Sequence, residues 1–172
     1  GLDFSHVVPK TDRAAYFAQF GYTVHEGDVI AGIAARLDPV KDIPTLIRAV
    51  ALAKKACPQL RLAIAGEGME RKKLEALAAE LGIADSVFFL GWVNDLDSFY
   101  GALDINTLSS LSEAFPYALP EGARAHLATV ASNVGGVPAI IEHGVTGLLI
   151  EPGDVRMLAA YLARFALDAD YR

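Results

Sequence analysis

One cysteine, Cys57, is all the sequence holds, so no disulfide can close within the chain. Its position at the end of a predicted helix, just before Pro58, reads as a packing role. Four scattered histidines show no metal-ligand spacing, which leaves no metal site to argue for. Basic runs are missing and the formal charge is −6, which excludes tracking a nucleic-acid backbone. Any phosphate must therefore be held locally, by a few placed donors. No apolar run reaches the roughly 18 residues of a membrane span, and no signal-peptide pattern opens the chain. A reducing, cytosolic setting is the default expectation. The chain opens on Gly1 rather than methionine, as a piece excised from a longer protein would.

What is present is core material. Hydrophobic residues make up 53% and charged ones 21% of 172 residues, far from a disordered composition and enough for one domain with a real core. From about residue 28 onward, apolar runs of strand length alternate with helical patterns. Strands are expected at Asp28 to Ala35, Leu60 to Ala65, Val87 to Leu90, Ile105 to Ser109, Thr129 to Ser132 and Gly147 to Ile150. Helices are expected over Ile43 to Ala56, Glu70 to Leu81, Asp95 to Ala102, Pro120 to His126 and Val137 to His143. A final one, capped by Asp154, runs to about Ala166. Continuous apolar strands between helices imply a doubly wound α/β domain, its parallel sheet covered on both faces. Residues 1–27 show no clear period and read as a linker with a short helix around Arg13 to Phe20.

In such a fold ligands bind beyond the carboxyl ends of the strands, so the loops after each strand matter most. After the first come Arg36, Pro39 and Lys41, in ARLDPVKD. A planar guanidinium and a point-charge ammonium on one loop suit a diphosphate; on spacing alone they equally describe a solvated surface loop. After the fourth, SSLSEAFPYALPEG separates Glu113 from Glu121 by seven residues on a loop entering a helix. A helix N-terminus suits a pyrophosphate, and flanking carboxylates can accept from sugar hydroxyls. Two surface glutamates would read the same way. Gly135 and Gly136 allow close backbone approach, to a ligand or within a tight turn. Gly66-Glu67-Gly68 lacks the third glycine of a dinucleotide fingerprint and reads mainly as a turn.

Taken in order, these segments resemble the C-terminal lobe of family 4 glycosyltransferases, the retaining group with the two-lobed Rossmann-like fold called GT-B. The likeness covers roughly residues 28 to 155. It runs through ARLDPVKDIPTLIRAV, LAIAGEGMERKKLEALAAELGIADSVFFLGWV, the E-x7-E stretch from Glu113 to Glu121, and ASNVGGVPAIIEHGVTGLLIEPGD. The resemblance implies that residues 28–172 bind a nucleoside-diphosphate sugar such as a UDP- or GDP-sugar. Arg36 and Lys41 would hold its diphosphate, and Glu113 would contact the transferred sugar near the reacting carbon. Glu121 would accept from the ribose hydroxyls, Leu119 would place loop amides near the phosphates, and the backbone around Trp92 and Val93 would read the base. Ala114 and Phe115, next after Glu113, are expected to line the same substrate site.

The resemblance further implies that no metal or other cofactor is needed, because cations and helix-terminus amides neutralise the leaving diphosphate. The acceptor, a glycan or lipid-linked molecule, would bind mainly to an absent N-terminal lobe. That lobe could also supply peripheral attachment to a membrane. Gly1-Leu2-Asp3 resembles the stretch just after the hinge between lobes, so the isolated lobe is expected to bind nucleotide weakly and transfer nothing. Several positions depart from the family pattern. Ala114 stands at a glycine position beside the sugar, and Asp42 replaces a glycine and adds negative charge near the diphosphate. Gly122, Arg124, Ala128 and Ala139 also differ. These departures motivate an alternative, a non-catalytic nucleotide-binding or interaction module of the same fold. A sugar-nucleotide epimerase fits the E-x7-E pattern less well. A nicotinamide-dependent oxidoreductase fits worse still, since the loop after the first strand is not glycine-rich.

Overall fold

The computed structural model describes residues 10–113, 127–143 and 147–168. Its strands are β1 (Val29–Ala34), β2 (Leu60–Ala65), β3 (Val87–Gly91), β4 (Ile105–Leu108), β5 (Ala128–Ser132) and β6 (Gly147–Ile150). The helices are α1 (Arg13–Ala18), α2 (Ile43–Ala53), α3 (Arg71–Glu80), α4 (Leu96–Gly101), α5 (Val137–His143) and α6 (Val155–Leu167). All strand pairs are parallel, in the order β3-β2-β1-β4-β5-β6. The sheet is the doubly wound one expected from the alternating runs.

The strands read as continuous apolar runs because both faces are covered. Val29, Ala31 and Ile33 of β1 enter a large core cluster with α2, α3 and α6. Ile30, between them, enters a second cluster with Tyr16 and Phe17 of α1 and Phe99 and Tyr100 of α4. Helix α2 buries Ile43, Leu46, Ile47 and Val50, the spacing of one helical face. It stops at Ala53, earlier than the expected Ala56. There the Cys57 amide donates to the Ala53 carbonyl, and the Lys54 ammonium takes the carbonyls of Pro58 and Leu60, turning the chain into β2. Pro58 disfavours further helix for the residue before it. Cys57 is fully buried in the large cluster, as a packing residue should be.

The opening segment does carry its short helix. Asp12 caps α1 by accepting from the Ala15 amide, and Phe17 is completely buried. Arg13 grips both carboxylate oxygens of Asp104 at 2.8 and 3.0 Å, and Asp104 also accepts from the Ile30 amide at 2.9 Å. Asp104 precedes β4 and Ile30 lies on β1. The contact therefore pins α1 across the seam between those two strands.

That seam is where the winding reverses. From β1 the chain proceeds outward to β2 and β3, then returns to the other side of β1 as β4. The loops leaving β1 and β4 stand side by side at this reversal, the place where ligands of doubly wound folds bind. No described helix is long and apolar enough to cross a membrane.

Candidate functional site

The loop leaving β1 carries Arg36, then a single 3-10 turn at Pro39–Lys41, then Asp42 at the start of α2. Asp42 has a φ of 46°, in the left-handed region where glycine is at ease and Asp is tolerated. Its carboxylate accepts from the Thr45 hydroxyl at 2.7 Å, which ties it to the first turn of α2. This local bond steadies an aspartate in a backbone conformation that favours glycine.

The loop leaving β4 is fastened to that turn. The Ser109 hydroxyl donates to the Lys41 carbonyl at 2.8 Å, and the Leu111 amide donates to the Val40 carbonyl at 2.8 Å. The result brings Lys41 onto Glu113, its ammonium 2.5 Å from Oε1. The Ser110 hydroxyl donates to the same oxygen at 2.7 Å. Both side chains of the ion pair are largely buried, 22% exposed for Lys41 and 10% for Glu113. Hydrogen bonds to a charged group contribute about 1.5–3 kcal/mol each, and partial burial keeps salt from screening this pair as it would an exposed one.

The backbone of Glu113 is held from a third side. Gly135 has a φ of 49°, and the Glu113 carbonyl occupies the space a Cβ there would need. The Gly136 amide donates to that carbonyl at 3.3 Å. The paired glycines thus serve close approach, and what approaches is the main chain of Glu113.

On the other side of the seam, the loops after β1 and β2 meet backbone to backbone. Gly66 has a φ of 150°, and the carbonyl of Ala35 sits where its Cβ would be. A Cβ on Gly68 would come 2.5 Å from the Leu37 carbonyl oxygen. The Leu37 amide donates to the Glu67 carbonyl, and the Leu37 carbonyl accepts from the Glu70 amide, both at 3.0 Å. Gly66-Glu67-Gly68 is a turn, as expected, and also the contact that braces the loop bearing Arg36.

Above this brace lies a cleft of about 430 Å³, whose lining includes Arg36, Gly66, Glu67, Trp92, Val93 and Asn94. Trp92 is 73% exposed, and its indole N–H donates to the Asn94 side-chain oxygen at 2.7 Å. The Arg36 side chain is 78% exposed, with Nε 3.4 Å from Asp38 Oδ2. An exposed cation and an exposed indole therefore share one opening, while Lys41 and Glu113 lie outside its lining. Trp92, Val93 and Asn94 also border a smaller crevice with Tyr16, Phe20, Asp95 and Ser98. There burial, aided by the Asp95 charge, pushes the Tyr16 hydroxyl up to about 12. Hydrogen bonds from the Ser98 hydroxyl and amide hold the Asp95 carboxyl below its ordinary range.

Of the residues singled out from sequence, Lys41 and Glu113 touch, and Arg36, Trp92 and Val93 share the cleft. Ala114, Phe115, Leu119 and Glu121, with the expected helix over Pro120 to His126, lie outside the described residues. Sequence reasoning missed Ser110, Glu67 and Asn94. The three-residue spacing of Ser110 and Glu113 is the one pointer to the first, and a weak one among the serines of SSLSE. Among the described residues, no group of three or more His, Cys, Asp or Glu could hold a metal ion.

The six-stranded parallel sheet with helices on both faces defines a Rossmann-like domain, of the kind found in GT-B glycosyltransferases. The chain belongs to the group 1 glycosyl transferases, whose family model matches residues 17–172. It is 30% identical over 181 residues to D-inositol 3-phosphate glycosyltransferase of Corynebacterium urealyticum, covering 100% of this chain and 43% of that one. Among solved structures, it resembles HepE of Anabaena in complex with UDP and glucose, with a TM-score of 0.84 and 28% identity. That match covers 99% of this chain and 47% of HepE. It also resembles the C-terminal domain of the group 1 glycosyl transferase LpcC from Francisella tularensis, with a TM-score of 0.82 and 26% identity. Here 99% of this chain and 90% of that domain are covered. The chain thus spans less than half the length of the curated relatives it matches.

Proposed function

We propose that this chain is the donor-binding lobe of a family 4 retaining glycosyltransferase, which moves a sugar from a nucleoside diphosphate to an acceptor. The observation that carries this reading is the meeting of Lys41 with Glu113 across the seam, beside the cleft that holds Arg36 and Trp92. The base and ribose lie in that cleft, against the backbone of Trp92 and Val93. Arg36 and Lys41 take the diphosphate, and Glu113 faces the sugar. HepE, whose structures hold UDP with glucose and UDP-glucose, supports a nucleotide-sugar donor.

Transfer with retention leaves growing negative charge on the departing diphosphate. Arg36 and Lys41 stabilise that charge more in the transition state than in the ground state, which is where binding becomes rate. On this reading they take the part that a divalent metal plays in other transferases. Residues 114–126, with Glu121 and Leu119, complete the ribose and phosphate contacts. The acceptor binds to a lobe that the longer relatives have beyond the matched region, and membrane contact, if the whole protein makes it, comes through that lobe. Without it, closure cannot expel water or fix donor against acceptor, so this chain alone binds nucleotide and does not transfer.

Calorimetry of the chain with UDP, GDP and ADP tests the reading. At least one nucleotide binds, and Arg36→Ala weakens that binding about 10- to 100-fold, the effect of losing a charge-assisted hydrogen bond. Silence from all three nucleotides would falsify the donor-site assignment. Binding that ignores Arg36 would move the site elsewhere.

A further inference from the structure

Resting on that donor-site reading, we infer that Ser110 is a positioning residue for Glu113, aiming one oxygen of its carboxylate and leaving the other to work. Two donors converge on Oε1: the Lys41 ammonium at 2.5 Å and the Ser110 hydroxyl at 2.7 Å. Among the described residues, no hydrogen bond or ion pair engages Oε2. A carboxylate held through one oxygen only, by donors from two different loops, has its plane fixed and its second oxygen presented. Oε2 is the atom that faces the sugar.

Ser110 is suited to this in a way Lys41 is not. It is fully buried, directly after Ser109, whose hydroxyl fixes the loop to the Lys41 carbonyl. Lys41 is drawn towards the diphosphate once donor arrives, and its grip on Oε1 then weakens. The serine hydroxyl stays where it is. It keeps the carboxylate in register while the ammonium changes partner, and the Glu113 carbonyl remains clamped by Gly135 and Gly136. Ser110 acts through Glu113 and touches no substrate.

The test uses the enzyme made from the full reading frame, with UDP-, GDP- and ADP-sugars as donors, water as the glycosyl acceptor, and release of nucleoside diphosphate by this hydrolysis as the readout. Ser110→Ala lowers kcat about 10-fold or more, the consequence of losing one charge-assisted hydrogen bond. Its donor KM and its calorimetric affinity for the free nucleoside diphosphate stay within about twofold of wild type, since Oε1 touches neither. Ser110→Thr, which keeps the hydroxyl, restores most of the rate. Glu113→Gln is run alongside to separate two kinds of failure. If Glu113→Gln turns over normally, or wild type releases no diphosphate from any donor, the donor-site reading itself is wrong. If Glu113→Gln is crippled and Ser110→Ala has normal kcat, only the Ser110 inference falls. A Ser110→Ala protein that loses nucleotide affinity and melting temperature together with kcat makes the serine a structural residue and overturns the inference as well.

Discussion

The two halves of the sheet hold the site in different ways. On the β1–β2–β3 side the strand-end loops are locked main chain to main chain: Gly66 against Ala35, Gly68 against Leu37, and Leu37 hydrogen-bonded to Glu67 and Glu70. On the β4–β5–β6 side, Leu108, Ala131 and Val137 form a separate small cluster, while Ile105, Ala128, Val130 and Ile150 join the large one. There Glu113 is kept in place by side chains, Lys41 and Ser110, and by one close approach from Gly135 and Gly136. The loops after β1 and β2 are therefore fixed by their backbones, whereas the Glu113 side chain is aimed by other side chains on a clamped backbone.

The comparison breaks most sharply at its glycines. Gly66→Ala forces a side chain into the left-handed region and into the Ala35 carbonyl, costing on the order of 3–5 kcal/mol. Gly135→Ala meets the Glu113 carbonyl at least as closely, at a φ of 49°, so the backbone of Glu113 itself must move. Denaturant melts should find both variants destabilised by several kcal/mol, on the order expected for backbone clashes, while Gly135→Ala alone also costs turnover beyond its loss of folded protein. Equal losses of turnover per folded molecule would dissolve the contrast. Arg13→Ala comes next. It removes the two-pronged contact with Asp104 that spans the seam, and about 2 kcal/mol of stability should go with it. A loss below about 0.5 kcal/mol would mean the pair behaves as an ordinary surface bridge. The smallest effect belongs to Asp42→Gly. Relief of the left-handed backbone and loss of the Thr45 bond offset each other to within about 1 kcal/mol. Affinity for a nucleoside diphosphate should nevertheless rise several-fold, because a negative charge leaves its surroundings.

The fold was legible because buried parallel strands announce themselves. Leu60–Ala65 and Gly147–Ile150 have the bounds their apolar runs indicate, and the Asp154 cap is visible as a hydrogen bond to the Met157 amide. Element ends were less legible, because they depend on tertiary bonds: α2 stops where Lys54 reaches the carbonyls ahead of β2. At the site, the ordering of strand-end segments was enough to single out Lys41 and Glu113, and the sheet order explains their meeting, since β1 and β4 are neighbours. Ser110 was hard to single out because it is one serine among several in SSLSE, with only its spacing from Glu113 to mark it. Its hydrogen bond to that carboxylate is what sets it apart. Gly66 and Gly68 likewise look like turn residues until the backbone opposite them is known.

The claim on which the rest depends is that the loops after β1 and β4 frame one donor site. A crystal structure of the chain with whichever nucleoside-diphosphate sugar binds best addresses it directly. The account predicts the base against Trp92 and Val93, the diphosphate within hydrogen-bond reach of Arg36 and Lys41, and the sugar facing Oε2 of Glu113. A nucleotide seated elsewhere on the domain, with Lys41 and Glu113 still paired and untouched, would contradict it.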